Sequence, residues 1–192
     1  MAGTRAPPFA TEMLFKTNLP EVLRRELARP AWMGERVAIG TATDPYQPCE
    51  GHYFLTRRAL EVLRDHRNPL SMVTKSTLIL RDLDLLADLA RLTDVTVYVT
   101  VTTLDPAVWR AVEPGTPPPL KRLNVMRRLV EAGVPCGVFL APILPGITDS
   151  QESIEAVAKA AKEYGAATFG TSMLRLAPFV KEHYFGFIQD TS

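Results

Sequence analysis

Two hydrophobic periods take turns along this chain. Short apolar runs, several of them rich in β-branched residues, occur at RVAIG (36–40), LSMVTKS (70–76), DVTVYVTVTTL (94–104), CGVFLAPIL (136–144) and ATFGTSMLRL (167–176), and they predict strands. Between them, apolar residues recur every three to four positions in PEVLRRELA (20–28), LTRRALEVLRDH (55–66), RDLDLLADLARL (81–92), LKRLNVMRRLVEAG (120–133) and SQESIEAVAKAAKEYG (150–165), which predicts amphipathic helices. Pro20 suits a helix start, Thr56 is placed to cap the next helix, Gly133 stops another, and Ser150 and Gly165 bracket the last.

Strands that alternate with helices of this length need crossover connections, hence a parallel sheet and an α/β fold. The strands number about five, too few for a full barrel of eight strands in ~250 residues. A partial barrel, or an open sheet with helices on one face, is expected. No repeat or linker divides residues 1–192, so one domain is expected; the tail APFVKEHYFGFIQDTS carries no clear element.

Composition narrows the function classes. The formal net charge of the 192 residues is +1, without the basic excess of a non-specific nucleic-acid binder, although a local basic patch stays open. No apolar run reaches the ~18 residues of a membrane span. The start MAGTRAPPFATEM has no apolar signal core, so a cytoplasmic protein without a membrane partner is expected. The 16 prolines cluster in DPYQP, EPGTPPP and APILPG, where they punctuate the elements. Cys49 and Cys136 lie too far apart for a metal motif and read as core-filling thiols. His52, His66 and His183 show no ligand spacing, so no metal ligand is expected in this chain.

In parallel α/β folds, ligands bind at the carboxyl ends of the strands. In TATDPYQPCE, Thr41, Thr43 and Asp44 can hold an ammonium, or Asp44 can simply make a turn. In TKST, Lys75 can bind a carboxylate or phosphate, or lie in solvent while Ser76 starts a helix. Strand alternation puts Thr100 and Thr102 opposite Val99 and Val101, either towards a ligand or merely as good strand formers. Gly146 in APILPGITD permits close approach, or serves a plain turn. Glu113 and Arg122 can pair near the mouth, with a solvated pair the plainer reading.

Taken in order, GTATDPYQP, LTRRALEVL, VTKSTLILRDLDLL, VTTLD, EPGTPPPLKRL, EAGVPCGVFLAPILPGITD and LRL resemble the radical S-adenosylmethionine (SAM) proteins related to spore photoproduct lyase, from about Phe9 to Phe179. That resemblance implies a partial (β/α)6 TIM-like barrel and a four-iron, four-sulfur cluster held by CxxxCxxC. It also implies SAM at the open iron site, a 5′-deoxyadenosyl radical that abstracts hydrogen, and a reductant such as flavodoxin or ferredoxin. The reaction would be of lyase or oxidoreductase type, on a substrate that the resemblance allows to be a nucleic acid.

By position the resemblance places Thr41, Thr43 and Asp44 at the methionine ammonium, and Lys75 and Ser76 at the carboxylate. It places Thr100 and Thr102 at the ribose, Pro145 and Gly146 on a strand end against adenine, and Leu174 to Leu176 near adenine or substrate. The cysteine triad is not in this sequence. FATEMLFKTN resembles the strand that follows the triad in the family, so the expectation is a core domain lacking its first strand and cluster loop, truncated at both termini, and inactive alone. The alternatives are a cluster-free domain that binds SAM or a partner, and an unrelated barrel hydrolase or aldolase with Lys75 as its Schiff-base lysine.

Overall fold

Each of the five strands predicted from the apolar runs is present, and the strands pair in the order in which they occur. The computed structural model describes residues 16–176, 181, 182, 184–186 and 188. Strands β1 (Val37–Ile39), β2 (Leu70–Thr74), β3 (Val95–Thr100), β4 (Cys136–Ile143) and β5 (Thr168–Met173) form one sheet in the order β1-β2-β3-β4-β5. Every neighbouring pair is parallel. The order never reverses, so the chain winds one way and its helices gather on one face, as in a barrel rather than a doubly wound sheet. Among the described residues β1 and β5 are the two edges.

The helices are α1 (Leu19–Leu27), the short α2 (Glu50–Tyr53), α3 (Leu55–Asp65), α4 (Leu83–Leu92), α5 (Pro106–Val112), α6 (Pro119–Glu131) and α7 (Gln151–Glu163). A 3-10 helix, Thr77–Asp82, leads into α4. Leu60 and Leu63 of α3, Leu86 and Leu89 of α4, Leu123, Met126 and Leu129 of α6, and Val157 of α7 are buried in one core. They meet the apolar face of the sheet, where Leu70, Met72, Val95, Val97, Val99, Val138 and Leu140 belong to the same cluster. Each such side chain contributes about 1.5–3 kcal/mol by leaving water. On the other face Ser71, Val73, Thr96, Tyr98 and Phe139 are only half-buried. This two-sided alternation is the period-2 signal read along the chain.

Local chemistry explains the element ends. Ser150 caps α7 by accepting from the Ser153 N–H at 3.1 Å, and Gly133 and Gly165 take positive φ just beyond α6 and α7. Thr56 does not cap α3. Phe54 occupies that position in a left-handed conformation, and the Glu50 carboxylate accepts from the N–H groups of Leu55 (3.0 Å) and Thr56 (2.9 Å). The acid that serves this terminus comes from the preceding turn of helix.

Three strand ends fall short of the sequence reading. β3 stops at Thr100, leaving Thr102 in the buried segment that follows. β4 stops at Ile143, where Pro142 lacks a ladder donor and the register with β5 shifts, so Pro145 and Gly146 lie in an exposed turn rather than on a strand. β5 stops at Met173; Leu174 lies beyond it, its N–H donating to the Ile143 carbonyl at 3.0 Å. Most of the strand expected at FATEMLFKTN lies outside the described residues, as does His183.

Candidate functional site

The carboxyl ends of the strands open into a cavity of about 360 Å³, within the range of about 300–1,000 Å³ common for ligand clefts. Its lining includes Gly40, Thr43 and Asp44 after β1, Thr74 and Lys75 at the end of β2, Thr100 of β3, Phe139, Ala141 and Pro142 of β4, and Ser172 of β5. Four of the expected residues, Thr43, Asp44, Lys75 and Thr100, therefore converge on one space. Thr41 lines a neighbouring groove of about 480 Å³ beside β1. Ser76 lines an outer cleft of about 380 Å³ that shares Asp44 and Lys75 with the first cavity. Neither Thr102, Pro145, Gly146 nor Leu174 lines the first cavity.

Asp44 is the joint between two loops. Its Oδ1 accepts from the Tyr46 N–H (2.9 Å) and the Thr74 hydroxyl (2.7 Å), and its Oδ2 accepts from the Lys75 N–H (2.7 Å). The Asx turn expected at Asp44 thus exists, and the same carboxylate fastens the β1 loop to the end of β2. Each oxygen has two lone pairs, and Oδ2 has one engaged here, so the acid can still accept from a ligand. The loop is anchored further on by Tyr46, whose hydroxyl donates to the fully buried Asp82 at 3.1 Å. Arg81 and Arg57 also donate to Asp82, at 2.8 and 3.0 Å. Burial, and then the Asp82 carboxylate, hold the Tyr46 phenol well above its ordinary pKa, so it stays a donor.

Lys75 turns its side chain to a buried acid. Its Nζ lies 3.0 Å from Glu113 Oε1, and Glu113 Oε2 lies 2.7 Å from Arg122 Nη2. The Glu113–Arg122 pair is therefore enclosed rather than solvated: the side chains are 7% and 0% exposed, against 33% for Lys75. Arg122 also donates to the carbonyls of Pro117 (2.6 Å) and Thr100 (3.1 Å) and to the Thr116 hydroxyl (2.6 Å). Burial alone would raise the Glu113 pKa, but Lys75 and Arg122 outweigh it and hold the carboxyl below its ordinary value. Glu113 is an anion at neutral pH. Ser76 accepts from the Leu78 N–H at 3.2 Å and caps the 3-10 helix, the plainer of its two sequence readings.

Phe139, Ala141, Pro142 and Ser172 are lining residues that the sequence reading did not name. The signal was strand alternation carried one layer further, since Phe139 and Ala141 share the parity of the inner face. Gly40 was also passed over. Its φ is +89°, and a Cβ there would stand 2.1 Å from the Val73 carbonyl oxygen. The backbone at the cavity edge is thus packed too tightly for any side chain.

The profile of the Radical SAM superfamily matches residues 11–161. The chain belongs to the radical SAM superfamily. An uncharacterized protein of Mycobacterium tuberculosis (strain H37Rv) is 44% identical over 165 residues, covering 84% of this chain and 48% of its own length. An uncharacterized protein of Methanocaldococcus jannaschii is 29% identical over 137 residues, covering 71% of this chain and 49% of its own length. The chain thus spans about half the length of the curated relatives it matches. Among solved structures, Streptococcus suis SuiB superposes with a TM-score of 0.64 at 14% identity, over 94% of this chain and 41% of SuiB. A spore photoproduct lyase variant with bound AdoMet and dinucleoside spore photoproduct gives 0.60 at 20% identity, over 90% of this chain and 51% of the lyase. The fold is that of these radical SAM partial barrels.

The residues present fit SAM: an acid and a lysine share one wall, hydroxyls stand at the ends of β3 and β5, and Phe139 offers a ring. They do not fit an iron–sulfur cluster. The sequence has two cysteines. Cys136 is fully buried in the core, its thiol pushed up to about 12 by burial. Among the described residues no group of three or more His, Cys, Asp or Glu side chains is placed to hold a metal.

Proposed function

We propose that the first cavity binds SAM and that this chain is the SAM-binding core of a radical SAM enzyme. The observation that carries this reading is the wall formed by Asp44 and Lys75, an anion and a cation tied side by side by a 2.7 Å hydrogen bond from the Lys75 N–H to Asp44. Such a pair matches an α-amino acid group: the ammonium meets Asp44 with Thr43, and the carboxylate meets the Lys75 Nζ. The Thr100 hydroxyl then meets the ribose, and adenine lies against Phe139, Ala141 and Pro142. Thr41 and Ser76 border the site from the adjoining groove and cleft, whereas Thr102, Pro145, Gly146 and Leu174 lie outside its lining. SAM-bound forms of SuiB and of spore photoproduct lyase, which share the fold, support the assignment.

In this family SAM supplies a 5′-deoxyadenosyl radical that removes a hydrogen atom from substrate. This chain's residues bind and orient the cofactor, and the reading requires the cluster's cysteines and the reductant to come from outside this sequence. Isothermal titration of the chain with SAM tests the proposal: saturable binding of one SAM per chain is expected, and no heat up to millimolar SAM would overturn it.

A further inference from the structure

Four charges alternate from the cavity wall into the protein. Asp44 and Lys75 line the cavity, Glu113 lies 3.0 Å behind the Lys75 Nζ, and Arg122 lies 2.7 Å behind Glu113. Two anions and two cations sum to zero. Only Asp44 and Lys75 reach the ligand; Glu113 and Arg122 are enclosed, so counter-ions cannot screen them there. A neutral array suits a ligand end that is itself neutral overall, as an amino acid zwitterion is. It does not suit a phosphate dianion, which would find one lysine whose field is offset by Glu113 and an acid, Asp44, beside it.

We propose that Glu113 is a specificity-determining residue that makes the cavity reject adenine nucleotides while admitting an adenosyl amino acid. The proposal rests on the SAM reading of the cavity. Adenosine monophosphate (AMP) shares the adenosine moiety, so contacts at Thr100 and Phe139 cannot tell the two ligands apart. Charge at the far end must do so, and discrimination by repulsion is a common route to specificity. Glu113 touches neither ligand and acts through Lys75; its replacement by a neutral isostere leaves the array at plus one.

The test is calorimetric titration of the chain with SAM and with AMP. For the wild-type chain, SAM binds and AMP binds at least about tenfold more weakly; Glu113→Gln lowers the SAM-to-AMP ratio by roughly tenfold or more. The double variant Glu113→Gln with Arg122→Met returns the array to zero and restores the rejection of AMP. Wild-type protein gives an arm that needs no variant. Phosphate monoesters lose their second charge below about pH 6, and among the described residues no histidine lines the cavity. AMP binding to wild type therefore strengthens from about pH 7 to about pH 5.5, while SAM binding does not, because the SAM α-amino group is mostly protonated across that range. Glu113→Gln with an unchanged ratio, or wild-type AMP binding insensitive to pH, overturns the role of Glu113. Failure of wild type to bind SAM overturns instead the reading of the cavity.

Discussion

Gly40 and Val73 are in such close contact that no side chain fits between them: a Cβ on Gly40 would lie 2.1 Å from the Val73 carbonyl oxygen. The contact joins the end of β1 to β2 at the rim of the cavity, and Gly40 adopts φ +89°, a conformation that L side chains rarely take. Gly40→Ala therefore costs more than about 1 kcal/mol of stability through strain and clash together. Thermal unfolding followed by circular dichroism checks this. A melting temperature within a degree of wild type would show that the strands part freely at this point.

Lys75→Met removes the ammonium proposed to meet the SAM carboxylate. A lost hydrogen bond to a charged group costs about 1.5–3 kcal/mol, so SAM affinity falls roughly tenfold or more. 5′-Methylthioadenosine, which lacks the amino acid group, binds the variant as it binds wild type. Equal losses for both ligands in calorimetry would mean that Lys75 supports the cavity rather than the carboxylate.

Arg122→Met leaves Glu113 enclosed with Lys75 as its partner, and removes the donors to Thr100, Thr116 and Pro117. Breaking a buried pair by deleting one partner costs about 3–5 kcal/mol. Denaturant unfolding should show that loss for the single variant. The Glu113→Gln, Arg122→Met double variant loses less than the sum of the two singles, because neither charge is then stranded. Additive losses would contradict the pairing.

Acid sensitivity follows from the sign of the Glu113 shift. Its folded pKa lies below the ordinary 4.5, so the folded state favours the anion. The stabilisation is fully present above 4.5 and is lost as pH falls through the lower, folded value. Wild type loses stability on acidification below 4.5, and Glu113→Gln loses less over the same interval. Identical acid profiles would assign that loss to other carboxylates.

The parallel order and the cavity end of the sheet were legible in the sequence, because β-branched strands and amphipathic helices obey different periods and crossover chemistry then fixes the direction. Thr43, Asp44, Lys75 and Thr100 could be found because strand ends are local features. What lies behind them could not. Glu113 and Arg122 read as a solvated pair since nothing near them in sequence shows that Arg122, from α6, reaches the Thr100 and Pro117 carbonyls and is enclosed together with Glu113. Helix α5 went unread, although Asp105 followed by Pro106 is a helix-start signal: Asp105 accepts from the N–H groups of Ala107 and Val108. Thr56 stands where a cap would, yet Glu50, five residues before Leu55, provides the acceptor.

SAM is proposed to occupy the cavity at the carboxyl ends of the strands. Backbone amide NMR spectra of the chain, recorded during titration with SAM, test it most directly. Saturable shifts confined to Gly40 through Lys75 at the β1 and β2 ends, to Thr100, and to the stretch from Phe139 to Ala141 are the predicted result. Shifts centred elsewhere, or none at saturating SAM, would contradict it.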